Sequence, residues 1–423
     1  MALLLVLLCA ASLVAATRAV IDRKQQSTLI AVLLFAFCAR LFFHVTVARS
    51  GVFFSHGQSG GDSIQYEDWG TIIANYWRRH GVVFVTEEMM PEIGSTALIC
   101  NLFALVNLLN GGTTSLGCTA LAAFVGCLTS LEIYRSSREF GANDRGAFLA
   151  MMLVLFSPAF VFHTSDSYKD GFVAFFTVMS FTGSMRIAKR FSVSQALLLL
   201  LWMIGLWFVR FYMVFMCSIP IVVGVLGLKS KSPIRRMLSI VGAFSFVAVA
   251  MVGGVMRSSA VNRMVDTYEH SHESNVVLYN AQGGSGVTFD DGGNPFGAIG
   301  SKLLYTVASP FPWQGGSVGL HLGKIDVFIF YFLIYRAYLS SRKLFVTDRQ
   351  TLVQFFSFLI PATVAYATTM ANIGLILRQR MPIVFVTAIL AALSWSARPA
   401  TKRVAAPVRR RAAALPETAE RVA

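Results

Sequence analysis

Acidic side chains are scarce in this chain: 21 Asp and Glu stand against 36 Lys and Arg in 423 residues, and charged residues of both signs make up only 13%. A water-soluble domain of this length carries more charge on its surface, so the soluble globular class is excluded. Paired cysteines are lacking as well. All six (Cys9, Cys38, Cys100, Cys118, Cys127 and Cys217) fall in apolar segments with no paired spacing in a loop, which excludes a disulfide framework and a zinc site. There is no internal repeat of the kind transporters carry in their two halves. What fills the chain instead is apolar: 55% hydrophobic residues, among them 35 Phe and 16 Met, with a mean hydropathy of +0.63. This is the composition of a polytopic membrane protein.

The net charge of +15 would suit a polyanion, but the Lys and Arg residues are gathered in short connections and in the tail. That is the positive-inside pattern, so the charge reports orientation and not nucleic-acid binding. Crossings are predicted near 28–48, 117–134, 146–163, 171–187, 193–209, 211–228, 237–256, 326–341, 351–371 and 381–397, within an all-α bundle of about 10–12 transmembrane helices. The basic connections Arg18/Arg23/Lys24, Arg135/Arg138/Arg145, Lys189/Arg190, Lys229/Lys231/Arg235/Arg236 and Arg342/Lys343/Arg349, and the tail, share the cytoplasmic side only if the apolar stretch 94–110 does not cross. That parity makes 49–116 one long external region with interfacial helices. The alternative is that 94–110 crosses and 28–48 runs the other way. Residues 1–27 form an apolar anchor or signal-like segment without a basic n-region, 28–397 the membrane bundle, and 398–423 a basic, disordered cytoplasmic tail able to touch anionic headgroups.

In the first external region, Gly60-Gly61-Asp62 precedes Trp69, Ile72, Ile73, Tyr76 and Trp77 at helical spacing, the pattern of a helix lying on the outer leaflet. In the second, 257–325, the glycine-rich runs 282–286 and 290–294 predict a mobile flap, or alternatively a loop without order. Charges gather around the outer mouth. Asp166, Lys169 and Asp170 lie in one turn after the span 146–163, beside His163 and Tyr168; Arg210 splits the apolar stretch 193–228; Arg378 and Arg380 precede the last span. Basic residues on the outer side run against the positive-inside bias and need a reason. A common one is an anion, because guanidinium groups recognise phosphate in a planar, bidentate way. Each residue also has a plainer reading: Arg210 snorkels or pairs with Asp166 or Asp170, Lys169 pairs with Asp170, Arg378 and Arg380 are solvated, Asp62 caps a helix, and His163 is a satisfied histidine at a span end.

In their order, these pieces resemble the GT-C superfamily of integral-membrane glycosyltransferases, which use polyprenyl- or dolichyl-phosphate sugars and include protein O-mannosyltransferases, the aminoarabinose transferase of lipid A and rhizobial lipopolysaccharide transferases. The similar pieces are Asp62-x-x-x-Tyr66 followed by Ala74, Pro158 then Lys169-Asp170, Arg210 between paired apolar helices, Ser309-Pro310-Phe311-Pro312-Trp313, and Arg378-x-Arg380-x-Pro382, within residues 28–397. The chain departs from relatives in having a single Asp62, with Glu67 and Asp68 further on, in place of an acidic pair, and in having no large soluble domain after the bundle.

The resemblance implies sugar transfer from a lipid-linked donor to a glycan, lipid or protein acceptor. A sugar held to a lipid phosphate already has its leaving group, so a carboxylate base and a cationic phosphate clamp suffice. Asp62 is the expected base. Arg210, Arg378 and Arg380 form the expected clamp with Lys169 as an addition, Asp166 and Asp170 orient hydroxyls or the base, and Tyr66, Tyr168 and Trp313 position donor or acceptor. A divalent ion, Mg or Mn, bridging Asp62 and Asp170 is conceivable because hard cations prefer carboxylate oxygens. The expected location is the bacterial cytoplasmic membrane with its active face outward, or the endoplasmic reticulum membrane of a eukaryote. An O-antigen-type polymerase or ligase, and a transporter or flippase, are the competing classes.

Overall fold

Apolar runs in hydrocarbon fold as helices because each backbone N–H and C=O must find its partner within the segment. A computed structural model describes residues 1–50, 60–226, 298–315, 318–368 and 373–395. The expected span 237–256, the basic connection at Lys229–Arg236, the glycine-rich runs expected to form a flap, and the tail 398–423 lie outside the described residues. Those described form α1 (Ala2–Val20), α2 (Arg23–Phe43) with a π-helical turn (His44–Ala48), α3 (Gly61–His80), α4 (Ala97–Asn110), α5 (Ser115–Glu139), α6 (Asp144–Leu155), α7 (Pro158–Thr164), α8 (Asp170–Lys189), α9 (Val193–Arg210), α10 (Tyr212–Leu226), α11 (Ile299–Ala308), α12 (Val318–Thr347), α13 (Arg349–Thr368), α14 (Ile373–Gln379) and α15 (Met381–Ala392). Seven segments are long and apolar enough to cross a membrane, eight if the bent pair α6/α7 is one span. The chain is an all-α polytopic membrane protein.

The segment read as an anchor or signal-like segment is helix α1, which packs along one face and is otherwise exposed. Leu13 and Thr17 of α1 are fully buried, α1 packs on α5 and α2, and a side chain at Gly117 would meet Leu5.

The break between α6 and α7 shows why two charges sit deep in the bundle. Pro158 starts α7 and the two helices bend by 60°, as proline in a span demands. An unbroken helix would join the Leu155 carbonyl to the Ala159 N–H. Here Arg40 Nη2 donates to the Leu155 carbonyl at 2.7 Å, while Ala159 N–H donates to Asp326 Oδ2 at 2.8 Å and Ser157 Oγ also bonds Asp326. Arg40 Nε reaches Thr164 Oγ1 at 2.7 Å. Each half of the broken rung thus has a charged partner from another helix, in a medium that offers no water. Arg40→Ala is expected to cost roughly 2–4 kcal/mol, because it leaves that carbonyl and a cavity behind; the measurement is the thermal midpoint in detergent.

Helices α3 and α4 pack on each other as one layer. The apolar stripe of α3 divides: Ile73 and Trp77 are buried with Tyr66 and Ala74, while Ile72 and Tyr76 are exposed. Gly70 is the point of closest approach, since a Cβ there would lie 2.8 Å from Phe103 Cβ. Asn107 Nδ2 donates to Thr71 at 3.1 Å and its Oδ1 accepts from Thr114 N–H at 3.0 Å, tying the end of α4 to the start of α5. Taken with the preceding 3-10 turn, Pro91–Asn110 is long enough to cross, so length does not decide its path. Its contacts do place it: Phe103 meets Phe172 in the first turn of α8, and Asn101 holds Val85 next to Phe84, which packs on Phe208 near the end of α9. Both halves of α4 therefore lie at the end of the bundle where α5 and α8 begin and α9 finishes.

Candidate functional site

Four elements meet at that end: the start of α3, the loop 165–169 entering α8, the last turn of α9, and α14. Arg378 joins them. Its Nη1 donates to Asp62 Oδ2 at 2.6 Å and its Nε to Asp170 Oδ2 at 2.5 Å, so one guanidinium bridges two carboxylates 108 residues apart in sequence. Arg210 Nη2 stands 3.5 Å from the other oxygen of Asp170. Both carboxylates occupy first turns, of α3 and α8, where the helix dipole favours negative charge. They differ in access: the Asp62 side chain is 47% exposed and that of Asp170 only 2%.

Lys169 supplies the third cation. Its Nζ lies 5.6 Å from the centre of the Tyr66 ring, and among the described residues it has no hydrogen-bond or ion-pair partner. Burial, together with the positive charge of Arg210, pulls its ammonium down to about 8, against the opposing pull of Asp170. Burial likewise pushes the Tyr66 phenol above its ordinary range, with Asp62 adding to the effect, so Tyr66 stays protonated. Tyr168 closes the wall: its hydroxyl accepts from Gly60 N–H at 2.8 Å, and Arg378 lies over its ring at 5.4 Å. A side chain at position 60 would force Tyr168 to shift, because a Cβ there would lie 2.3 Å from that hydroxyl.

Lys169 makes the mouth pH-dependent. Its protonated form is disfavoured in the folded protein, so the stability it contributes rises with pH between about 8 and the ordinary 10.5, and an anion placed beside it is expected to bind less tightly as pH passes about 8. Phosphate affinity measured across this range should show that decline in the wild type and lose it in Lys169→Gln.

A second layer holds the first in place. Arg49, just beyond the π-helical turn, donates from Nη2 to Glu67 Oε1 at 2.6 Å and to Asp166 Oδ1 at 3.1 Å. Ser63 Oγ donates to Asp166 Oδ2 at 2.8 Å, Ser167 Oγ to Glu67, and His44 Nδ1 lies 3.6 Å from Asp166. Burial alone would raise the Asp166 carboxyl, but the bonds and charges of His44, Arg49 and Ser63 outweigh it and hold the group at about 2. Burial raises the Glu67 carboxyl, opposed by Ser167 and Arg49. These contacts fasten α3 to the loop 165–169 and so set Asp62 opposite Asp170.

Several expectations change. Arg380 does not join the cluster: its Nη1 donates to the carbonyls of Thr306, Val307 and Ser309 at 2.9–3.3 Å, where it caps the end of α11, whose last carbonyls have no helical partner. Trp313 is 79% exposed and stacks on Phe311 instead of lining the mouth. Asp166 meets Arg49 and not Arg210. Lys169 makes no ion pair with Asp170. Asp62 is no cap, since Gly60 holds the N-cap position and no side-chain cap bond forms. His163 Nδ1 meets the Ala159 carbonyl at 2.7 Å, the plain reading of a satisfied histidine. The two carboxylates suggested as a divalent-ion bridge, Asp62 and Asp170, are joined here by Arg378, which bonds one oxygen of each.

Arg49, Glu67, Ser63 and Ser167 were not singled out as functional residues, although Arg49 obeys the criterion that picked out Arg210 and Arg378, a basic residue on the outer side of a span. No family model matches this chain, and no curated protein matches it either. A functional reading therefore rests on these residues and their placement.

Proposed function

We propose that the protein is a membrane glycosyltransferase that moves a sugar from a polyprenyl-phosphate donor to an acceptor hydroxyl by inverting single displacement, in line with the GT-C resemblance. The observation that carries this reading is the mouth itself, where Arg378, Arg210 and Lys169 converge beside one accessible and one buried carboxylate. Asp62, the accessible one, takes the acceptor proton. The freed oxygen attacks the anomeric carbon, the bond from that carbon to the phosphate oxygen breaks, and its electron pair leaves on the phosphate. Charge therefore grows where the three cations stand, the arrangement that lowers a barrier most effectively. Asp170 is too buried to meet an acceptor; it positions the two arginines. Tyr66 and Tyr168 flank the donor as protonated walls. The active face is the outer face of the bacterial cytoplasmic membrane, or the lumenal face of the endoplasmic reticulum.

The test is transfer of labelled sugar in proteoliposomes from matched polyprenyl-monophosphate and polyprenyl-diphosphate donors. Transfer from the monophosphate is expected. Transfer confined to the diphosphate would favour a polymerase or ligase, and accumulation inside vesicles with no covalent product would favour a transporter.

A further inference from the structure

We infer that the Asp62 carboxylate occupies, on Arg378, the seat that the donor's phosphate takes on binding, so that seating the phosphate and freeing Asp62 are one event. This rests on the proposed lipid-phosphate donor and adds an exchange to it. The two carboxylates on Arg378 are not equally replaceable. Asp170 is sealed, is faced by Arg210 as well, and is held in the first turn of α8. No ligand reaches it without opening the bundle. Asp62 is half exposed, sits two residues after a glycine N-cap that makes no side-chain cap bond, and follows Gly61, which has open space around it. Its bond to Arg378 is the one that solvent, and hence a solute anion, can contest.

Charge points the same way. Two carboxylates already answer Arg378 and Arg210, which leaves Lys169 as the cation without an ion-pair partner among the described residues of this mouth. A sugar-linked phosphodiester carries one negative charge and can meet Lys169 without displacing anything. Its second oxygen reaches the Nη1 edge of Arg378, where Asp62 stands, by replacing that carboxylate. Once replaced, Asp62 Oδ2 is released from the guanidinium that held it, at the moment when a base is needed. In the empty protein the same oxygen is engaged by Arg378.

The test measures binding and not turnover. Polyprenyl phosphate is titrated into nanodiscs holding the full chain as wild type, Asp62→Asn, Arg378→Gln and the double variant, with Asp68→Asn as a control that removes a charge from the same helix without touching Arg378. Arg378→Gln leaves Asp170 facing Arg210. Asp62→Asn is expected to bind about tenfold more tightly than wild type, a coupling of ordinary size for a partly buried ion pair. The gain should vanish in the Arg378→Gln background, and Asp68→Asn should bind as wild type does. An equal gain in both backgrounds, or from Asp68→Asn, would mean long-range charge alone and overturn the exchange, as would unchanged or weaker binding by Asp62→Asn. If Arg378→Gln fails to fold, the comparison of Asp62→Asn with Asp68→Asn still decides. Failure of all five proteins to bind overturns the donor assignment itself, whereas wild-type binding without the Asp62 effect overturns only the exchange. Inorganic phosphate is the competing arm: displacement of the lipid at equal concentration would assign the seat to a soluble anion and overturn its lipid source.

Discussion

Asp62→Asn is expected to lower the rate of sugar transfer by a factor of about 10²–10⁴, the usual worth of a positioned general base, while leaving the protein folded and its donor affinity undiminished. The substitution keeps the shape and removes the proton acceptor. It acts on a half-exposed side chain whose one strong partner is Arg378, so little of the fold depends on it. Single-turnover transfer from saturating donor isolates the chemical step from binding. Asp62→Glu, which moves the same base by one methylene, should retain part of the activity. An Asp62→Asn protein within a factor of three of wild type would remove the base from the mechanism, and with it the main reason to read the mouth as catalytic.

Arg378→Gln is expected to fail in two ways at once. The bridge between Asp62 and Asp170 is lost, leaving a sealed carboxylate with Arg210 alone at 3.5 Å; breaking a buried pair costs about 3–5 kcal/mol. The developing charge on the phosphate also loses its best-placed donor, worth a factor of about 10²–10³ in kcat. Arg378→Lys should restore part of the stability and little of the rate, because an ammonium cannot present two donor edges to two anions. Arg380→Gln is the matched contrast. Its guanidinium serves the end of α11 through three backbone carbonyls, so thermal stability should fall while donor affinity and the pH dependence of binding stay as in the wild type. Equal losses of donor affinity from both arginines would contradict the separation of roles.

Parts of this site can be read along the chain. An arginine splitting a long apolar run and an arginine ahead of the last span are anomalous because basic residues on the outer side run against the positive-inside bias, and a carboxylate opens the first polar stretch after a long apolar span. Asp62 stands out for the second reason, and Arg210 and Arg378 for the first. Arg380 stood out by the same rule and proved to answer backbone carbonyls: a cation two residues from another on a helical turn faces a different side, and periodicity alone does not say what waits there. Trp313 enters through the Ser309-Pro310-Phe311-Pro312-Trp313 piece of the GT-C resemblance, and an aromatic ring is as content stacked on Phe311 as in a binding wall. Arg40 and Asp326 lie inside apolar runs, but their purpose depends on a single broken rung at Leu155 and Ala159 contributed by another helix.

By itself the sequence determined the class, an all-α polytopic membrane protein, because that follows from local hydrophobicity over segments long enough to span. Only the tertiary structure decided which charge answers which. That Arg378 bridges Asp62 and Asp170, that Asp166 belongs to Arg49, and that Lys169 is left without an ion-pair partner are contacts between residues tens to hundreds of positions apart. Electrostatic partnership falls off over a few ångströms in space and carries no mark in the order of the chain.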